Sequence, residues 1–138
     1  MARRSGRVQS CGVREAQNRR AHAQKFLEVA EIAAGEHGQD PEYASVAVSL
    51  AVLSGIAAAD AACCKALGER SRSQSHHDAE GLLRNVAGGE AVAKDLHALI
   101  VLKDEAQYGF FNVNTEELKR ALRRAKSLLE FAEEVLRR

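Results

Sequence analysis

The residues with the most chemical potential are scattered. His76 and His77 stand side by side before Asp78, at the expected start of a helix. Adjacent histidines on a helix point in different directions, so a metal would need further ligands from other helices, and no metal site is expected here. Asp60 interrupts a long apolar stretch, where an ionised carboxylate needs a partner or a path to solvent. His77 is one candidate partner. Arg72 precedes His77 with four residues between them, a spacing that short chance matches also produce. Lys103, Asp104, Glu105, Gln107 and Tyr108 form a polar cluster beside an aromatic stretch. No glycine-rich phosphate loop, Ser–His–acid set or pair of catalytic carboxylates is visible.

Charge is uneven although the net value is only +1. Residues 1–20 carry six Arg against one Glu, residues 21–114 carry seven basic against thirteen acidic side chains, and residues 115–138 carry seven against five. Basic ends can reach phosphates, and a basic terminal arm is also the usual composition of a solvated tail. The three cysteines are Cys11, Cys63 and Cys64. Neighbours such as Cys63 and Cys64 rarely pair with each other. The odd count, with no signal peptide in view, points to a reducing cytoplasm. No C-x-x-C pair is present to suggest a thiolate metal site.

The elements that must position these residues are all helical. Residues 1–12 lack periodicity and read as a flexible basic arm ahead of one domain over 13–138. The first helix is expected over Val13 to Ala34, with Phe26, Val29, Ala30 and Ala33 on one face and Gly35 and Gly38 as breakers. The second has Asp40 as N-cap and Pro41 at its first position, and it runs to Leu67 before Gly68. Its run from Ala44 to Ala59 is short and rich in Ala, Ser and Gly, which fits a central bundle helix better than a membrane span. A polar loop over 69–74 follows. A short third helix is capped by Ser75 and stopped at Gly88 and Gly89. The fourth spans Glu90 to Tyr108, and Gly109, Phe110, Phe111 and Val113 follow it as a break and an apolar plug. The last begins at Asn114, with Glu117 completing a capping box, and repeats Leu118, Leu122, Ala125, Leu129, Ala132 and Leu136 along its buried face. Lys119, Arg120, Arg123, Arg124 and Glu130 occupy the opposite face. The expected fold is all-α: an up-and-down four-helix bundle with one additional short helix.

Four segments carry a resemblance. They are "AVLSGIAAADAACC" in the second helix, "SHHDAEGLL" at the third, "LIVLKDEAQYG" at the end of the fourth and "LLEFAEEV" in the last. The chain from Phe26 through Val135 resembles the HEPN superfamily (higher eukaryotes and prokaryotes nucleotide-binding), and within it the small actinobacterial, Streptomyces-type members. Many members are metal-independent ribonucleases that act as homodimeric toxins. Their signature is an Arg and a His with four to six residues between them, often as Arg-Asn-x3-His-x-Tyr. The resemblance places that signature at Lys103, Asp104, Tyr108 and Phe110, so each of its residues is replaced. Lys offers a point charge where Arg offers a planar fork. A tyrosine hydroxyl, with its high reference pKa, is a poor base at neutral pH.

The resemblance therefore implies a non-catalytic module that binds RNA, a nucleotide or a partner protein, in a toxin–antitoxin or defence setting. Its binding residues would be Asp60, His76, His77, Lys103, Asp104 and Tyr108. An alternative is a ribonuclease toxin that uses Arg72 and His77 instead. A second alternative is a structural, oligomerising protein without a ligand. Expected partners are a second copy of the chain and a cognate antitoxin or nucleotidyltransferase. No cofactor and no membrane contact are expected.

Overall fold

A computed structural model describes residues 8–37, 39–72, 76–108 and 113–138, with the side chains of His76 and residues 104–108 excepted. The elements in chain order are β1 (Val8–Ser10), α1 (Val13–His37), α2 (Pro41–Leu67), β2 (Glu69–Ser71), α3 (His76–Arg84), α4 (Gly89–Tyr108) and α5 (Thr115–Leu136). The all-α expectation holds, apart from the small two-stranded ribbon formed by β1 and β2. Helices α2 and α5 pack against each other and against both α1 and α4. Helix α3 lies along α4.

Helix α2 is the axis of the bundle. Its small residues Ala44, Ala47, Ala51, Ala57, Ala58, Ala61 and Ala62 are fully or almost fully buried. Small side chains let neighbouring backbones come close, and at Gly55 the approach is closest. A Cβ there would lie 2.6 Å from Leu99 Cδ1 of α4 and 3.1 Å from Leu128 Cδ1 of α5. Ser54, also fully buried, donates its hydroxyl to the Ala23 carbonyl of α1 at 2.7 Å. Helix α2 is long and apolar enough to cross a membrane, but most of that stretch is buried inside the protein. It therefore behaves as the core helix of the bundle.

The ends of the helices follow the expected caps. Asp40 accepts from the backbone N–H groups of Glu42 and Tyr43. Asn114 and Glu117 form the reciprocal capping box of α5. Gly68 closes α2 with φ +72°, a left-handed position suited to glycine. Gly35 does not end α1, which continues to His37. At Gly89 a Cβ would collide with the Leu83 carbonyl, so the turn between α3 and α4 depends on the bare backbone. Ser75, Gly109, Phe110 and Phe111 lie outside the described residues. Val113 is buried, as expected of the plug.

The region read as flexible arm and polar loop differs from expectation where its two parts meet. β1 pairs antiparallel with β2, with Val8 opposite Ser71 and Ser10 opposite Glu69. Three residues are too few to show an alternating pattern in sequence. The Cys11 N–H donates to the Gly68 carbonyl at 2.9 Å, and Cys11 is joined to Cys64 by a disulfide. The bond spans 53 residues, for which loss of chain entropy in the unfolded state is worth about 4 kcal/mol. The disulfide departs from the reduced cysteines expected of a reducing environment, because only the tertiary fold brings Cys11 beside the end of α2.

The packing at Gly55 makes a direct prediction. Gly55→Val should lower the stability to urea by about 1–3 kcal/mol through overpacking, with a smaller loss for Gly55→Ala. An unchanged urea midpoint for Gly55→Val would show that the helices are not held this closely.

Candidate functional site

Two polar groupings stand out on the bundle, and both use α4. The first lies between α4 and α5. The capping box starts α5, and its apolar repeat faces α2, so the basic residues between those repeats must face outward. Arg120, Arg123 and Arg124, with Ser127, line a cleft of about 310 Å³ against Asp95 of α4. Arg124 donates to Asp95 Oδ1 at 3.0 Å. Among the described residues neither Arg120 nor Arg123 has an ion-pair partner. Three guanidinium groups thus face one carboxylate, a lining balance of three minus one, or +2. Guanidinium forks suit phosphate oxygens. Among the described residues the lining holds no imidazole and its one carboxylate is paired with Arg124, so these side chains are equipped to bind an anion.

The second grouping lies between α3 and α4. Glu80 of α3 is buried, with only 5% of its side chain exposed. His97 Nδ1 of α4 sits 3.0 Å from Oε1 and 3.2 Å from Oε2 of that carboxylate. His77, one turn before Glu80, places Nδ1 3.7 Å from Oε2. Both imidazoles reach solvent. The ligand-capable atoms of His77, Glu80 and His97 all lie within 4.8 Å of one another. A buried carboxylate flanked by two imidazoles needs at least one of them to present N–H or positive charge.

The residues singled out from the sequence do not converge. Asp60 pairs with Arg19 of α1, whose Nε and Nη2 donate to Oδ2 at 3.2 and 3.0 Å. This corrects the expected pairing with His77: α1, the closest-packed neighbour of α2, supplies the charge. The ion pair is largely buried on the aspartate side, so it serves the packing of α1 on α2. Arg72 is exposed just after β2, and His77 is engaged with Glu80, so Arg72 and His77 sit in different settings. Lys103 is half-buried on α4, six residues beyond His97, or about 9 Å along the helix. His76 opens α3 and Asp104 and Tyr108 lie in the last turns of α4; their side chains are outside the described residues. The sequence reading missed Glu80, His97 and Arg19. The His77–Glu80 spacing of three was visible as a shared helix face. The contribution of His97 was not, because seventeen positions and a turn separate it from Glu80.

The chain matches no family model, and no curated protein matches it in sequence. Fold and site alone define the class: an α-helical bundle with an arginine-lined cleft on one face and a His–Glu–His group near the α3 end of another.

Cys63 is the remaining free cysteine, buried beside the disulfide. Burial, with the negative charges of Asp60 and Glu69, pushes its thiol up to about 12. The folded state therefore holds this proton more tightly than the unfolded chain does. The resulting stabilisation is complete below the ordinary thiol value of 9.0 and is lost as pH rises from there towards about 12. Iodoacetamide at pH 8.5 should leave Cys63 unmodified in the native protein and label it after unfolding in urea, read by mass spectrometry. Rapid native labelling would contradict the burial. Cys63→Ala should also flatten the fall in urea midpoint above about pH 9.

Proposed function

We propose that this protein is a non-catalytic, HEPN-like helical module that binds RNA through the phosphates of the strand. The observation that carries the reading is the α4–α5 cleft, where Arg120 and Arg123 face outward beside the Arg124–Asp95 pair. The cleft has the size for a phosphate group, and among the described residues its lining carries no aromatic side chain on which a base could stack. Contacts of this kind hold the backbone and carry little sequence information, so binding is salt-dependent and tolerant of sequence. Positions corresponding to the family's nuclease motif carry Lys103 and Tyr108, which supports binding without cleavage.

A homodimer belongs to the same proposal. Tyr43, Val46 and Leu53 are exposed on α2 at spacings of three and seven residues. This places an apolar stripe on one face of the central helix, as a self-complementary contact needs. A toxin–antitoxin or defence setting, with a cognate antitoxin or nucleotidyltransferase as partner, rests on the family resemblance. Placement in the cytoplasm goes with an open Cys11–Cys64 pair in the cell. Thiol trapping in intact cells tests this, and a pair already closed there would move the protein to an oxidising compartment.

Fluorescence anisotropy with a labelled single-stranded RNA, over a series of salt concentrations, tests the main reading. Arg120→Ala and Arg123→Ala should each weaken binding to all sequences alike and reduce the salt slope by roughly 0.7–1. RNA should remain intact during the titration, and light scattering on the same samples should give twice the chain mass. Binding that is absent, or that both arginine variants leave unchanged, overturns the assignment. Cleavage that His77→Ala abolishes would establish the ribonuclease alternative instead.

A further inference from the structure

We propose that His77, Glu80 and His97 form a binding site for a divalent transition-metal cation of the zinc type. The site stands apart from the arginine cleft and does not depend on the RNA reading. The first argument is the donor set. Two imidazoles and one carboxylate are the ligands that borderline cations such as zinc prefer. The second is geometry. In a tetrahedral zinc site, with bonds of about 2.0–2.1 Å, neighbouring ligand atoms lie roughly 3.3 Å apart. Taken to one ligand oxygen, Glu80 Oε2, the His97 Nδ1 distance is 3.2 Å and the His77 Nδ1 distance is 3.7 Å, which bracket that value. All three ligand atoms fall within 4.8 Å of one another.

The third argument is the burial of the carboxylate. Glu80 is held against the bundle with its side chain only 5% exposed, while His77 and His97 are 80% and 52% exposed. The anion is therefore fixed by the protein, and the two imidazoles close over it from the solvent side. A cation placed between them would neutralise a charge that is otherwise costly to bury. Three protein ligands leave at least one coordination position facing water, the arrangement of an open site. The ligands also come from two helices. His77 and Glu80 share one face of α3, one turn apart, and His97 faces them from α4. Metal binding would thus tie the short helix α3 to α4, adding a link across the turn at Gly88 and Gly89.

The test uses the full chain without a histidine tag. Isothermal titration with zinc should show one ion bound per chain. Cobalt should give the visible absorption of a low-symmetry nitrogen and oxygen site without a thiolate charge-transfer band. His97→Ala and Glu80→Gln should each lower zinc affinity by roughly tenfold or more. His37→Ala, at a histidine stacked on Tyr43 and outside the His77–Glu80–His97 group, should leave it unchanged. Circular dichroism on each variant checks that the bundle is intact, and His97 is half-exposed, so its removal leaves the core in place. No zinc binding, binding that survives both His97→Ala and Glu80→Gln, or a cobalt spectrum with a thiolate band would overturn the assignment. RNA anisotropy on the same variants should be unaffected, which separates failure of this site from failure of the arginine cleft.

Discussion

Close packing around α2 is the constraint on which the rest of the molecule depends. A helix lined with Ala, Ser and Gly cannot fill space by itself, so its neighbours must come to it. Leu99 from α4 and Leu128 from α5 reach the bare backbone at Gly55 from two sides, and the Ser54 hydroxyl meets the Ala23 carbonyl from α1. Each neighbouring helix is thus located by contact with the same short segment. Interiors packed this way have few rearrangements open to them, because small residues leave no slack that a different rotamer could take up.

The position of the charges follows from that packing. With α2 occupying the centre, α5 must turn its leucine and alanine face inward, and its arginines are left along the edge shared with α4. Asp95 holds one of them and leaves two facing solvent. The same logic explains Asp60. An acidic residue on the most buried helix is tolerable because α1 lies close enough to deliver Arg19, and the pair then fixes how α1 sits on α2. Glu80 solves a similar problem differently. Its partners are imidazoles from its own helix and from the next, and they open towards solvent.

The amino end shows how a short segment can be ordered without an intrinsic pattern. Three residues of β1 have no hydrophobic alternation to speak of, and a two-stranded ribbon alone would not persist in water. They are held by the Cys11–Cys64 bond, by the Cys11 N–H to Gly68 carbonyl contact and by the ribbon with β2. All three converge where α2 ends. The left-handed turn at Gly68 is what directs the chain back along that end.

Most of the architecture was legible in the sequence. Caps at Asp40 and Asn114, the leucine repeat of α5 and the alanine-rich α2 are local signals, because helix starts and amphipathic faces are set by residues within a turn or two of one another. These were enough for the helices, their order and the all-α class. The candidate sites were only half legible. The arginines of α5 and the His77–Glu80 spacing are written along single helices. The company they keep is not: Asp95 beside Arg124, His97 beside Glu80, Arg19 beside Asp60 and Cys11 beside Cys64 are all meetings between distant segments. Which helix faces which depends on how side chains of different volume interlock across the whole bundle, and no local periodicity records that. The helical bundle was therefore decided by the sequence alone, while the pairing of its charged, imidazole and thiol groups was decided only when α2 drew the other helices around it.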